Sequence, residues 1–283
     1  MFKASYDRWG TYSSIVISAL FIFIALPWWL IFADEVNLMR AYDPPGIEHF
    51  LGTDSLGRDL LVRISKNIYT NVFPILMVAT LSHLFSVFCF IKLIGHKPFL
   101  RVKAILSPAA KLIFSMPLPI LIIFGIRLFS FHAVMTIWVL YFIFFFISTF
   151  IFLTAIYERD ISKPYWQNFL LAGGSHKALV RKYGIKGIWR YELIDRFVVY
   201  YQQGLIIETT FSYLGFGVTE PSPSFGNMIA AHYELIFSNQ NHALIYILFF
   251  FYLSLCMPKA MIHLYKILGL KYQSLRLKCR HSD

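Results

Sequence analysis

The chain has 283 residues, 58% hydrophobic and 18% aromatic, with only 14% charged and a formal net charge of +11. Soluble domains carry about 25% charged residues, so this composition excludes an ordinary soluble domain and points to an integral membrane protein. The positive charge collects between apolar runs, where basic residues mark the cytoplasmic face, so it is not a nucleic-acid signal.

In chain order, residues 1–10 hold Lys3 and Arg8 and are expected inside. Residues 11–33 form a first apolar span, long enough for a bilayer core of about 30 Å. Ala33-Asp34-Glu35 is not a small-x-small cleavage site, so the span reads as a retained anchor. Residues 34–66 are polar, with acids outnumbering bases, and are expected outside. A second span covers 67–91; it opens on Asn67, Tyr69, Thr70 and Asn71 and contains His83. Lys92, His96, Lys97, Arg101 and Lys103 then make a short basic inner loop. A third span covers 107–128, with Pro108, Pro117 and Pro119 inside it. After a short external break at 127–132, the Phe-rich fourth span covers 130–157. The fifth, 197–217, contains Gln202, Gln203, Glu208, Thr209 and Thr210. Residues 218–241 carry no Lys or Arg and are expected outside; the sixth span is 241–264. The tail, with Lys271, Arg276, Lys278 and Arg280, is expected inside. The expectation is therefore an all-α membrane protein of six spans with both termini cytoplasmic. Residues 1–66 would be the anchor and outer loop, and 67–283 the transmembrane domain.

The longest polar interval, 158–196, carries Arg159, Lys163, Lys177, Arg181, Lys182, Lys186 and Arg190. Ser162 is a candidate N-cap and Pro164 suits a first helical turn. Trp166, Phe169 and Leu170 recur at helical spacing, and Gly173-Gly174 then ends the run. A second short helix is expected over 175–183, with Lys177 and Arg181 one turn apart. The apolar face has no obvious partner within the loop, which favours a docking element over a merely solvated basic loop.

Several chemistries have no motif here. There is no GxxxxGK[ST] phosphate loop, no HExxH and no GxSxG, so no catalytic residue, metal site or cofactor is expected. Cys89, Cys256 and Cys279 form no CxxC pair. His83 and His263 lie in apolar runs and read as hydrogen-bonded packing residues. Glu208 is the one acid deep in a span. Such acids face a bundle interior or a wet cavity, and both a gating role and a structural role are open for it.

Two outer stretches carry a resemblance. HFLGTDSLGRDLLVR (49–63) is similar to HPLGTDxxGRDxxSR, and ETTFSYLGFGVTEPSPSFGNM (208–228) to EASLSFLGLGVxPPxPSWGNM. Both are signatures of the C-type permease subunit of dipeptide/oligopeptide-type ABC importers. The interval 158–196 lies where that family keeps its EAA coupling loop. Asn168 stands at the Glu position and Phe169 and Leu170 at the two Ala positions. Gly174 and Ile185 are retained, and Lys186-Gly187 replaces the Leu-Pro end. The family's Gly-Ala-Arg after the first signature is Asn67-Ile68-Tyr69 here. The resemblance implies a type I importer permease fold with Trp166, Asn168, Phe169, Leu170, Gly173, Gly174, Ile185 and Gly187 in the ATPase-coupling loop. Gly52, Thr53, Asp54, Gly57, Arg58 and Asp59 would form a periplasmic motif. Glu208, Ser212, Gly215, Gly217, Pro223, Gly226 and Asn227 would be pathway or gate candidates. Gly52, Gly57, Gly215 and Gly217 permit sharp turns, Asp54, Arg58 and Asp59 can form a charged network, and Pro221-Ser222-Pro223 is stiff.

The implied protein is a bacterial inner-membrane permease subunit. It would pair with a second homologous permease, two ATPase subunits and a periplasmic solute-binding protein, in contact with membrane lipid and without nucleic acid. Its cargo would be peptides or a related small solute, and ATP hydrolysis would reside on separate subunits. The alternative is a proton-coupled secondary carrier using Glu208.

Overall fold

In a computed structural model, residues 2–31, 35–115, 118–129, 133–233, 242–256, 258–260 and 262–263 are described. Among them the chain is helical and contains no strand; Thr53 and Asp59 form an isolated antiparallel bridge. Two helices are long and apolar enough to cross a membrane, Leu60–Leu93 and Met135–Ile161. The chain divides into two compact units, Met1–Phe73 with Glu208–Asp283, and Pro74–Ile207.

In the first unit, α1 (Phe2–Ile24) is followed by a 3-10 turn, Trp28–Leu30. Trp28 donates its indole N–H to the Phe23 carbonyl at 2.9 Å and packs on Leu61 and Val62. α2 (Leu60–Asn67) starts where the Asp59 carboxylate accepts the Val62 N–H at 2.9 Å, an N-cap that satisfies an orphan donor. A π-helical turn, Ile68–Val72, joins α2 to α3 (Phe73–Leu93). Pro74 explains this turn. Proline has no N–H to donate and its ring crowds the carbonyl four residues back; one wider turn just before it absorbs both. Helix α10 (Phe225–His232) opens on a capping box in which Ser224 and Asn227 satisfy each other's backbone N–H groups. α11 (His242–Phe251) continues as a π-helical turn, Tyr252–Cys256, whose Tyr252 hydroxyl donates to the Ile17 carbonyl.

In the second unit, α4 (Lys97–Ser115) and α5 (Leu118–Phe129) pack on α6 (Ala133–Ile161). The short helices α7 (Pro164–Leu171) and α8 (His176–Leu179) follow, then a π-helical stretch, Val180–Ile188, and α9 (Trp189–Tyr213). Aromatic rings hold α6 against α9: Phe145 stacks on Tyr141 at 5.5 Å and on Tyr200 at 4.8 Å. The Tyr200 hydroxyl donates to Ser148 Oγ at 2.9 Å, and the Tyr141 hydroxyl to the Gly204 carbonyl at 3.2 Å. α3 and α9 approach closely at Gly204, where a Cβ would stand 2.6 Å from Ile75 Cγ2. Small residues serve this purpose between membrane helices. His83 lies beside Phe197 and Tyr200 and 3.4 Å from Thr149 Oγ1, as a packing histidine should.

Several expected boundaries move. The second span, 67–91, is the middle of a longer helix, because the Asp59 cap starts it at Leu60. The third, 107–128, is two helices, α4 and α5, and Lys97, Arg101 and Lys103 sit on α4 instead of in a loop. Pro108 is accommodated inside α4; Pro117 lies outside the described residues. The fourth extends to Ile161 and the fifth begins at Trp189. The tail from residue 264 onward, with Lys271, Arg276, Lys278, Cys279 and Arg280, also lies outside the described residues, as do parts of the first and sixth spans and of the break at 127–132.

Candidate functional site

In the first unit, the stretches 49–63 and 208–228 fold into one charged cluster. Asp54 is buried and accepts from the backbone N–H groups of Leu56 and Arg58, both at 2.9 Å, and from Arg58 Nε at 2.8 Å. Arg58 Nη1 then donates to Glu220 Oε2 at 2.9 Å, and Arg63 Nη2 to Glu220 Oε1 at 2.6 Å. Burial works against the Arg58 charge, but Asp54 and Glu220 outweigh it and raise its pKa above the usual guanidinium value. Asp59 caps α2 and also meets His49 Nδ1 at 2.9 Å. Thr53 Oγ1 accepts the Asp43 N–H at 2.8 Å and donates to the Arg40 carbonyl at 2.5 Å.

The loop around Asp54 is possible only because of Gly57. Its φ is +72°, and a Cβ there would fall 1.8 Å from the Asn37 carbonyl oxygen. Gly52 and Gly215 also take positive φ.

The second stretch is fixed by its own polar groups. Asn227 Nδ2 donates to the Val218 carbonyl at 3.2 Å and the Ser222 carbonyl at 2.8 Å. Asn71 Nδ2 donates to the Pro223 carbonyl at 3.0 Å and to Asn67 Oδ1 at 2.7 Å, which ties the second stretch to the π-helical turn that follows α2. A Cβ on Gly226 would fall 2.2 Å from the Thr209 carbonyl, so α10 lies directly against the end of α9. Glu208 is buried and accepts from Ser212 Oγ at 2.8 Å; Ser212 Oγ in turn accepts the Val218 N–H at 3.0 Å. Gly217 closes against the same serine. The Glu208 carboxyl thus has a structural partner one turn along its own helix.

In the second unit, the 158–196 segment is two short helices joined by a glycine turn, but its details differ from expectation. Lys163, not Ser162, is the N-cap residue of α7 and makes no side-chain cap; the Ser162 hydroxyl donates to the Arg159 carbonyl at 3.2 Å. Ser175 caps α8 through the Ala178 N–H at 3.2 Å. The left-handed residue is Gly173, with φ +85°, not Gly174. The Gly173 N–H bonds the Leu170 carbonyl and the Gly174 N–H the Phe169 carbonyl, both at 3.0 Å. This is the Schellman arrangement. Gly174 is required for space, because a Cβ would meet the Phe169 ring at 2.2 Å.

The apolar face is the larger correction. Trp166 is wholly buried, stacked on Trp189 at 5.3 Å in a core with Phe90, Phe150 and Tyr157. Phe169, Leu170 and Ile185 pack against the same core. Their partners are Phe90 on α3, Phe150 and Tyr157 on α6 and, within the segment itself, Leu179, Val180 and Trp189, so only part of the cover is remote in sequence. Asn168 is exposed, and Gly187 breaks the π-helical stretch with non-helical φ/ψ. What remains outward is Leu171, 85% exposed, with Tyr165, Tyr183 and Ile188 and the exposed bases Arg181, Lys182 and Lys186.

Sequence reasoning missed the residues that anchor this segment. Asp160 is buried and accepts from Trp189 Nε1 at 2.7 Å, Lys163 Nζ at 2.6 Å and Arg159 Nε at 3.0 Å, while Arg159 also reaches Glu192 at 2.9 Å. This salt-bridged aspartate raises the pKa of Lys163. The available signal was an acid flanked by bases, read only as topology. Arg63 and Glu220 were likewise inside the quoted signatures without being singled out.

Comparison with known proteins adds no identification: no protein-family model and no curated protein matches the chain.

Proposed function

We propose that this chain is an inner-membrane permease subunit of a bacterial ABC importer for peptides or a related small solute. It crosses the membrane six times with both termini in the cytoplasm, and it pairs with a second permease, two ATPase subunits and a periplasmic binding protein. The observation that carries the reading is the Arg58–Glu220–Arg63 cluster. The two sequence stretches that resemble the importer signatures lie about 160 residues apart, as the pair separations of 162 and 157 show, yet they fold into one polar assembly. Unrelated surface loops have no reason to do so. The exposed rim of Leu171, Tyr183 and Ile188 among basic residues offers the ATPase a contact surface, and the Asp160–Trp189 anchor gives it a rigid base.

The test is ATP-dependent uptake. Inverted and right-side-out membrane vesicles from cells with and without the chain are assayed with a labelled tripeptide pool. Uptake that needs the chain and ATP, and that survives a protonophore, supports the reading. Uptake abolished by the protonophore alone would favour the Glu208 carrier; no change on deletion would sink both.

A further inference from the structure

The Arg58 and Arg63 guanidinium groups converge on a single carboxylate. Arg63 is 1% exposed and Arg58 8%, so both guanidinium groups are held out of water. Asp54, buried beneath them, fixes Arg58 through Nε and stands 3.7 Å from Arg63 Nε, which makes no hydrogen bond of its own. Their Nη1 and Nη2 atoms converge on the two oxygens of a single carboxylate, that of Glu220. Two fixed guanidinium donors on one carboxylate make a geometrically selective and strong form of carboxylate recognition.

The members of this cluster differ in one respect. The Glu220 side chain is 40% exposed, whereas those of Asp54 and Arg63 are at 0% and 1%. Water and solutes therefore reach only Glu220. A pair with an exposed partner is screened and open to exchange with water, while a wholly buried pair is costly to break. Replacing Glu220 by another carboxylate conserves the charge balance and leaves Asp54 in place.

We infer that Arg58 and Arg63 form a carboxylate-binding seat, occupied here by the chain's own Glu220, that a carboxylate from another molecule can take over. The incoming group is either an acidic side chain of a docking protein or the terminal carboxylate of a peptide. Glu220 competes with it as a tethered ligand at an effective concentration of roughly millimolar, so a lone carboxylate exchanges poorly and a partner with further contacts exchanges well. Its placement toward an external partner rests on the transport reading; the binding chemistry does not.

The test uses the full chain in nanodiscs and titration calorimetry with three probes. These are acetyl-Glu-Glu-Glu-amide, acetyl-Gln-Gln-Gln-amide and triglycine with a free C-terminus. Wild type is expected to bind the carboxylate probes weakly. Glu220→Gln, which replaces the competing carboxylate by a neutral amide at an exposed position, is expected to bind at least one of them about tenfold tighter. Adding Arg58→Gln should remove that gain. A gain for the triglutamate probe identifies side-chain carboxylates as the source, and a gain for triglycine identifies terminal ones. Should Glu220→Gln fail to fold, Glu220→Asp, which draws the carboxylate back by one methylene, should show a smaller gain in the same direction. Equal affinity of wild type and both Glu220 variants, or an equal gain for the glutamine probe, overturns the inference. If ATP-dependent uptake persists in that case, the transport reading stands without the seat; tight binding without uptake separates them the other way.

Discussion

Asp54 and Glu220 both face the two arginines, yet their burial sets different costs. Asp54 is inaccessible and accepts from two backbone N–H groups as well as Arg58. Asp54→Ala leaves buried guanidinium groups with half their countercharge, a loss of about 3–5 kcal/mol. Glu220→Ala should cost less, because water can enter where that side chain was. Thermal unfolding of the two variants in detergent checks the order; equal melting shifts would mean that Glu220 is as buried in solution as Asp54. Glycines give a second comparison at this scale. Gly57→Ala forces a Cβ into the Asn37 carbonyl, whereas Gly173→Ala meets nothing within 4 Å and carries only the left-handed backbone penalty. That penalty is about 1–2 kcal/mol, so Gly173→Ala should fold with a small loss and Gly57→Ala should accumulate poorly. The glycines were legible in the sequence because turn chemistry is local. Which of Gly173 and Gly174 took positive φ was not, because it depends on where the last turn of α7 closes.

Helix α7 shows how an element can be placed correctly and its face misassigned. Pro164, the Trp166–Phe169–Leu170 spacing and the glycine stop were all readable, and the helix forms there. The face was read as free for a partner because nothing within 158–196 looked able to cover it. Its cover is Trp189, Leu179 and Val180 from the far part of the same segment, together with residues of α3 and α6, brought in by tertiary packing that periodicity does not encode. Trp166→Ala should therefore act on stability, at about 3–5 kcal/mol, and lower folded yield before any partner is involved. Leu171→Ala, at an 85% exposed site, should leave the unfolding free energy within about 0.5 kcal/mol of wild type and, under the proposed transport role, weaken ATPase co-purification. If Leu171→Ala retains its ATPase and Asn168→Ala loses it, the docking surface lies on the other side of α7. The π-helical turn at Ile68–Val72 was also missed, although Pro74 was in plain view.

At the scale of the molecule, charge and hydropathy point to a membrane protein, and the helical, strand-free character of the described residues agrees with what a bilayer demands of backbone groups. The number of crossings is a harder inference. Two helices, Leu60–Leu93 and Met135–Ile161, are long and apolar enough by themselves, while α9 carries Arg190, Glu192, Asp195 and Arg196 in its first turns. Those four residues are the end of the 158–196 segment, so α9 can cross only if its polar start remains at the interface and the apolar stretch after Arg196 enters the bilayer. The proposed six-span arrangement makes a prediction about two positions: if α9 crosses once, Lys177 on α8 should be on the cytoplasmic side and Glu220 on the opposite side. Cysteine substitution at each position, in a background without Cys89, Cys256 and Cys279, allows labelling by a membrane-impermeant maleimide. Position 220 should label in intact cells and position 177 only after permeabilisation. Labelling of both from outside would mean that α9 does not cross, and the charged cluster and the basic segment would then share one face.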